Sequence, residues 1–185
     1  MGKTDMIKMM KNSALLLLFF ISLITGCKSP NEPASMSGEF FPLAMGNKWY
    51  YNTNYPDTTS VNVIQEITGQ KVIDRQNYYE ITSLDLLSGV RDTFYYRLNG
   101  DTLFVRNAKD GEHILADFSL NLNDAAYWQQ DLKVTAKTDE FITFQTPWGP
   151  DYGYSVTFKR GVGIINSAEN GLVYYRTKLI KSEIK

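Results

Sequence analysis

Cysteine and histidine are nearly absent from this 185-residue chain, which contains one of each. Zinc sites in proteins use several cysteine or histidine ligands, so we expect no zinc centre and no other metal site. The histidine, His113, has no recognisable partners for a catalytic triad. The Gly-x-Ser-x-Gly sequence that positions a nucleophilic serine in many hydrolases is also missing. We therefore expect His113 to face solvent in a hairpin rather than to take part in catalysis.

The chain also lacks an apolar run long enough to cross a membrane as a helix. The run Ala14–Ile24 has 11 residues, whereas a bilayer-spanning helix needs about 20. Three lysines precede this run, and the small residues Thr25 and Gly26 follow it. This order of charge, apolar run and small residues predicts a secretory signal peptide over residues 1–26.

The single cysteine, Cys27, directly follows this segment. Ile24-Thr25-Gly26-Cys27 resembles the bacterial lipobox, in which the cysteine receives a diacylglyceryl group, becomes the first residue after cleavage and is then N-acylated. The resemblance implies that Cys27 anchors the protein to a membrane, because two or three acyl chains on one residue give stable attachment. The alternative is an ordinary secretory peptide with a chance cysteine.

Residues 27–38 have the composition of a tether. They contain Pro30 and Pro33 among serines and show no apolar periodicity, so we expect an extended, flexible segment. One domain is expected to follow over residues 39–185, a usual length for a single core. By resemblance to lipoproteins generally, Lys28 indicates the outer membrane. The expected location is the bacterial cell envelope, on either its periplasmic or its surface face.

Positive charge is not in excess. Removal of residues 1–26 leaves 16 Lys+Arg and 19 Asp+Glu, a formal net charge of −3. Because no basic patch is available for phosphate contacts, we expect no nucleic-acid partner. The expected partners are the membrane, through the N-terminal lipid, and an envelope protein, a glycan or a lipid ligand.

Alternation of apolar and polar residues dominates the remaining chain. Alternating segments, TFYYRL and TLFVR, flank Asn99-Gly100. Asn-Gly between two such segments is a strong β-hairpin signal, because both turn residues accept positive φ. The same kind of signal recurs at Asp110-Gly111 and at Asn170-Gly171. These three turns predict antiparallel sheet for most of the chain.

The predicted fold class is all-β, or mostly β with minor helix. We expect a single antiparallel meander that is curled as a half-barrel, a closed barrel or a sandwich. Tyr154, Val156 and Phe158 form a further set that faces the core. The strongest helix signal lies within Leu120–Gln130, where Asn123 could cap one or two turns; this stretch could equally be a loop.

Two patterns bracket the domain. The opening FFPLAMGNKWYY and the late KRGVGIIN resemble poorly characterised bacterial secreted proteins and lipoproteins. The resemblance implies a β-rich periplasmic or surface domain and no particular activity. We expect Trp49 and Tyr51 to fill the core from the first strand, and Gly161 and Gly163 to allow a bend or bulge in a late strand.

Motifs for cofactors and catalysis are incomplete. Gly161-Val162-Gly163 has two of the three glycines of a dinucleotide-binding loop, and no helix pattern follows it. The residues before Asp110-Gly111 lack the ligands of a calcium loop. A glycosidase pair is not recognisable among the carboxylates Asp85, Asp92, Asp139 and Glu140, whose spacings are typical of solvated loops and edges. We expect no cofactor and assign no catalytic residue.

The segment TPWGPDYGY, residues 146–154, has an unusual composition. It combines two prolines, two glycines and three aromatic residues, which is typical of a stiff loop. Aromatic faces beside a carboxylate suit a sugar or apolar ligand, so the candidate ligand-binding residues are Trp148, Asp151, Tyr152 and Tyr154. The alternative is a wide hairpin connection in which Trp148 folds back over the sheet edge.

Two hypotheses about function follow. The first is a membrane-anchored bacterial lipoprotein with a non-enzymatic β-rich domain that binds a partner or a small apolar ligand. The second is an envelope carbohydrate-active or other hydrolase that uses carboxylates. The first is preferred because it requires no residues that the chain lacks.

Overall fold

The computed structural model describes residues 40–53, 60–107, 111–128, 132–146, 153–170 and 175–185, all within one compact unit, Ser35–Lys185. The regular structure of these residues is β-strand. The eleven strands are β1 (Lys48–Thr53), β2 (Val63–Ile73), β3 (Gln76–Asp85), β4 (Arg91–Asn99), β5 (Thr102–Asn107), β6 (Gly111–Asp117), β7 (Lys133–Lys137), β8 (Phe141–Gln145), β9 (Gly153–Lys159), β10 (Gly163–Asn170) and β11 (Tyr175–Glu183).

The strands form one antiparallel sheet in the order β6-β5-β4-β3-β2-β1-β11-β10-β9-β8-β7. Strands β1 and β11 pair at its centre, and every other neighbouring pair is consecutive in the chain. This order confirms the predicted antiparallel meander. Strands β6 and β7 are the two edges of the sheet, so it does not close into a barrel.

The predicted hairpin at Asn99-Gly100 is present, but its turn lies one residue further along. Asn99 pairs with Thr102, so Gly100 and Asp101 are the central residues. Gly100 has φ +57°, which satisfies a two-residue turn that needs positive φ at its first central position. Asn99 therefore ends the strand instead of forming the turn.

The other two predicted turns connect strands that pair as expected. Strand β5 pairs with β6, and β10 pairs with β11. Gly111 has φ +73° and begins β6. Residues 108–110 and 171–174, which complete these turns, lie outside the described residues.

A further hairpin joins β2 and β3 through Asp74-Arg75. Ile73 pairs with Gln76, and the two turn residues have φ +51° and +64°. Positive φ at both central positions is the type I′ geometry that glycine and asparagine usually supply. This turn has no recognisable signal in the sequence, because Arg75 occupies a position where glycine is the usual residue.

Aromatic rings are prominent in the core; some come from strand residues that alternation directs to one face of the sheet, and others, such as Phe41 and Phe118, come from segments outside the strands. Trp49 is fully buried and Tyr51 is 3% exposed, so the expectation for both is confirmed. Phe41, just before β1, stacks on Trp49 with ring centroids 5.5 Å apart and lies edge-on to Phe158 of β9 at 6.3 Å. Phe118 also meets the edge of Phe158, at 5.1 Å.

Residues 120–128 form a loop, so the helical alternative for this segment is wrong. Asn123 has φ +72°, which is not the conformation of a helix N-cap. The loop returns alongside β7: Asn123 donates its amide hydrogen to the carbonyl of Val134, and Ala125 forms an isolated bridge with Lys133. Within the described part of the chain, no helix has both the length and the apolar composition needed to span a membrane.

The glycines of the late pattern lie where the chain bends. Gly161 has φ +71° in the turn between β9 and β10, and Gly163 begins β10 with φ +101°. The pairing of β9 with β10 shifts register between Ile164 and Asn166. The predicted bulge in a late strand is therefore confirmed.

Candidate binding site

An open pocket of about 500 Å³ lies between the segment before β1 and the strands β3 and β4. Its lining is mostly apolar, with three residues that carry polar groups: Pro42, Leu43, Ala44, Asn77, Tyr79, Arg97 and Leu98. Small-molecule sites in proteins commonly have this size and this mixture of apolar surface with a few polar groups.

Asn47 holds one wall of this pocket in place. The side chain of Asn47 is fully buried and donates a hydrogen bond to the carbonyl of Pro42 at 2.8 Å, while its oxygen accepts one from the amide of Lys185 at 2.9 Å. The backbone amides of Gly46 and Ile67 add bonds between this segment and β2. Gly46 has φ +79°, a conformation that glycine adopts without strain. The Gly-Asn of the opening pattern therefore shapes the pocket wall.

An aromatic stack adjoins the residues that line the pocket. Phe41, next to the lining residue Pro42, stacks on Tyr96 of β4 with centroids 5.4 Å apart and planes 10° apart. Tyr96 is the cross-strand partner of the lining residue Tyr79, whose side chain faces the same side of the sheet. Two lining residues are thus neighbours of core residues that pack against each other.

The guanidinium group of Arg97 is engaged by an ion pair. Its Nε and Nη2 each donate a hydrogen bond of 2.7 Å to the carboxylate of Glu112, and its Cζ lies 3.9 Å from the ring centroid of Phe104. The hydroxyl of Tyr78 also donates to Glu112. Hydrogen bonding to Glu112 raises the pKa of Arg97, and the same contact lowers the pKa of Glu112.

Alternation along β4 decides the polar character of the pocket. The side chain of Arg97 points to the face of the sheet opposite Tyr96 and Leu98, where Glu112 compensates its charge. The remaining polar side chains among the described lining residues are Asn77 and Tyr79. Both are neutral hydrogen-bonding groups. The pocket is therefore suited to a neutral, mostly apolar molecule rather than to an anion.

Of the four residues predicted from the sequence to bind a ligand, the structure describes one. Trp148, Asp151 and Tyr152 lie outside the described residues. Tyr154 lies on β9 and packs against the core. Its carbonyl accepts a hydrogen bond from the amide of Thr146, and its own amide donates one to the Thr146 hydroxyl. Burial raises the pKa of the Tyr154 hydroxyl to about 12, with a further contribution from the charge of Glu169.

Tyr154 is partly buried, and two tyrosines of other strands, Tyr51 on β1 and Tyr96 on β4, are buried in the core against which it packs. Burial raises the pKa of Tyr51 and of Tyr96 well above the ordinary value. The charges of the three phenolates would also disfavour one another, Tyr51 against Tyr96 and Tyr96 against Tyr154. The sequence predicted that Tyr51 and Tyr154 face the core, but it contains no signal that relates their strands, β1 and β9, to β4.

The titratable residues considered in the sequence are dispersed. His113 is exposed on the edge strand β6. Asp85 accepts hydrogen bonds from the backbone amides of Ser88 and Leu87, which lower its pKa. It ends β3 beside the start of β4, whereas Asp139 and Glu140 form the turn at the opposite end of the sheet.

Within the described ranges, His, Cys, Asp and Glu side chains form no group of three that could hold a metal ion. Asp92 lies on β4 opposite Ser83. In comparisons with known proteins, no family model matches this chain, and no curated protein and no solved structure matches it at a significant level.

Proposed function

We propose that this protein is a lipid-anchored protein of the bacterial cell envelope whose β domain binds a small, neutral, mostly apolar molecule and does not catalyse a reaction. The observation that carries the proposal is the pocket of about 500 Å³ between residues 42–44 and strands β3 and β4. Its wall is held by the buried side chain of Asn47, so the pocket is preformed and ligand binding does not have to order it.

The chemistry of the lining supports binding over hydrolysis. None of the described lining residues is acidic, and hydrolysis of a glycoside needs two carboxylates that face each other across the scissile bond. Asp85 is engaged in a turn, and Asp139 and Glu140 lie at the opposite end of the sheet. The hydrolase hypothesis therefore has less support than the binding hypothesis.

Anchoring through Cys27 is supported by the sequence. The apolar run, the small residues before Cys27 and the proline-containing segment after it together resemble a lipoprotein leader and tether. The proposed location is the outer membrane. For a protein held there, the membrane itself is a source of small apolar molecules.

The binding site can be tested by NMR titration of the protein with cyclohexanol and with benzamide. We expect chemical-shift changes centred on Leu43, Tyr79 and Leu98. Ala44→Trp should abolish these changes because the indole fills the pocket. The matched control is Met45→Trp, since the neighbouring Met45 side chain is 47% exposed and outside the lining. Unaltered binding by Ala44→Trp would contradict this site.

The anchor is tested separately. The intact mass of the membrane-extracted protein should include the acyl chains and begin at Cys27, and the protein should partition into detergent. Cys27→Ser should remove both properties. A wild-type protein that is unmodified and begins at another residue would contradict lipidation without affecting the binding test.

A further inference from the structure

The loop between β3 and β4 carries three exposed apolar side chains within five residues, 86–90, which we call the apolar loop. Leu86 is 46% exposed, Leu87 68% and Val90 53%. Single exposed apolar residues are ordinary on protein surfaces. Several of them in one short loop commonly mark a contact with a partner or with a membrane.

Every backbone amide of the apolar loop has a hydrogen-bond partner within the protein. The acceptors for the amides of residues 86 to 90, in order, are the carbonyl of Asn62, the carboxylate of Asp85 twice, the carbonyl of Asp85 and the hydroxyl of Ser88. An amide without a partner is costly to move into an apolar medium. The apolar loop can therefore leave water without leaving an amide unpaired.

The same hydrogen bonds hold the apolar loop in one conformation. The amide of Asp85 also donates to the carbonyl of Val90 at 3.0 Å, which closes the loop, and the bond from Leu86 to Asn62 ties it to the segment before β2. A preformed surface pays little entropy when it meets its partner. The apolar side chains are thus presented without further ordering.

The chain that precedes the domain is long enough for the apolar loop to reach the anchoring membrane. Residues 27–39 can span about 40 Å, at about 3.1 Å per residue. They end at Phe40, and the next residue, Phe41, stacks on Tyr96, the partner of Tyr79 on β3. From Tyr79 to Asp85, where the loop begins, β3 rises by about 20 Å. The span of residues 27–39 therefore exceeds the distance along the domain.

We propose that the apolar loop inserts the side chains of Leu86, Leu87 and Val90 into the interface of the lipid bilayer that holds Cys27. The inference rests on the anchor of the proposed function, which keeps a bilayer within reach. A bilayer supplies apolar area and requires no hydrogen bonds from the amides of the loop.

The charges beside the apolar loop indicate which lipids it binds. The charged residues that flank it in the sequence are of both signs: Asp85, Arg91 and Asp92. Insertion therefore depends on apolar area rather than on attraction between charges. It should occur on vesicles of phosphatidylcholine, which has no net charge, and should vary little with salt concentration.

The first test measures the depth of the apolar loop in the lipidated protein. Leu87→Cys gives one free thiol for a nitrobenzoxadiazole label, because the other cysteine, Cys27, carries the lipid. On phosphatidylcholine vesicles the emission of this label should shift to the blue and be quenched by nitroxide-labelled lipids.

Val72→Cys is the matched control for the depth measurement. Val72 is 67% exposed, but it pairs with Asn77 at the end of β3 far from the apolar loop. Its label should keep the emission that it has in water. If the labels at both positions behave alike, the loop does not insert and the proposal is wrong, although the anchor would stand.

The second test removes the anchor. In the Cys27→Ser background, Leu87→Asn should lower the partition coefficient of the protein onto phosphatidylcholine vesicles roughly tenfold, whereas Val72→Asn should leave it unchanged. Equal melting temperatures of the three proteins show that each is folded. Because this test does not use the lipid, it holds even if Cys27 is unmodified.

Two results of the second test would overturn the proposal. One is a partition coefficient that Leu87→Asn does not change, or the absence of vesicle binding in the Cys27→Ser protein. The other is a dimer, seen by analytical ultracentrifugation, that Leu87→Asn dissociates. That result would assign the apolar loop to a contact between two copies of the chain.

Discussion

The indole nitrogen of Trp49 donates a hydrogen bond to the backbone carbonyl of Val162, 113 positions further along the chain. This bond ties the first strand to the turn between β9 and β10. Val162 lies between Gly161 and Gly163, both of which have positive φ. The Gly-Val-Gly pattern near the end of the sequence therefore presents a carbonyl to the tryptophan of the opening pattern.

Substitution of Gly163 tests this relationship. A Cβ on Gly163 would lie 3.2 Å from Nε1 of Trp49 and 3.3 Å from Cδ2 of Phe41, in addition to the strain of φ +101°. We expect Gly163→Ala to lower the free energy of unfolding by about 2–4 kcal/mol, from backbone strain plus overpacking. Urea denaturation measures this loss.

Gly161→Ala is the matched control for this prediction. Gly161 also has positive φ, but a Cβ there would meet no atom within 4 Å. We expect it to cost about 1–2 kcal/mol, from backbone strain alone. If Gly163→Ala and Gly161→Ala lose the same free energy of unfolding, the space beside Trp49 accommodates a Cβ without overpacking.

The fold could be predicted from the sequence wherever the signal is local. Alternation around Asn99-Gly100 indicated a hairpin, and the structure contains it with the turn displaced by one residue. The pairing of β1 with β11 had no such signal, because it joins residues such as Lys48 and Glu183 that are 135 positions apart. Whether the sheet closes depends on its edges, β6 and β7, and alternation is the same in closed and open sheets.

The candidate site could be predicted only in part. Tyr51 and Tyr154 were expected from the sequence to face the core, and both pack there, but no such prediction followed from the sequence for Tyr96 on β4. The pocket depends on Asn47, which stands out in the sequence only as part of the pattern FFPLAMGNKWYY. The hydrogen bonds of Asn47 to Pro42 and Lys185 are tertiary contacts. The sequence around Asn47 gives no indication of the bond to Lys185.

Replacement of Arg75 by glycine is expected to stabilise the protein. It has φ +64° in the second central position of the β2–β3 turn, a conformation that costs a residue with a Cβ about 1–2 kcal/mol. Arg75→Gly should raise the free energy of unfolding by about 1 kcal/mol, because relief of strain exceeds the added flexibility of the unfolded chain. Thermal and urea unfolding measure the change.

Arg91→Gly is the control for Arg75→Gly. Arg91 is also exposed, but it begins β4 and has no positive φ. Glycine is unfavourable in a strand, so this variant should lose stability. A loss of stability in Arg75→Gly as well would contradict the argument from backbone conformation.

Conservative replacement of Arg97 by lysine is expected to destabilise the protein. Its two hydrogen bonds to Glu112 and its position 3.9 Å from the Phe104 centroid use the planar shape of the guanidinium, which lysine lacks. Arg97→Lys should lower the free energy of unfolding by about 1–2 kcal/mol. Arg91→Lys, on the exposed start of the same strand, should be neutral. If Arg97→Lys and Arg91→Lys change the free energy of unfolding equally, Arg97 stabilises the protein through its charge alone and not through the shape of its guanidinium.

The buried tyrosines predict a loss of stability at alkaline pH. The pKa of Tyr154 is raised from 10.0 to about 12, so the folded state holds this proton more tightly than the unfolded chain does. The contribution to stability is fully present below pH 10 and is lost as the pH rises from 10 through 12. Tyr51 and Tyr96 act in the same direction.

Tyr154→Phe isolates one member of this group. A shift of about two pKa units corresponds to about 3 kcal/mol, so between pH 8 and pH 11.5 the free energy of unfolding of the wild type should fall more steeply than that of Tyr154→Phe. Urea denaturation followed by circular dichroism gives the two slopes, and absorbance at 295 nm reports when tyrosines ionise. Tyr127→Phe should keep the wild-type slope, because the side chain of Tyr127 is 69% exposed. If Tyr154→Phe keeps the wild-type slope as well, Tyr154 ionises as readily in the folded protein as in the unfolded chain, and its burial does not raise its pKa.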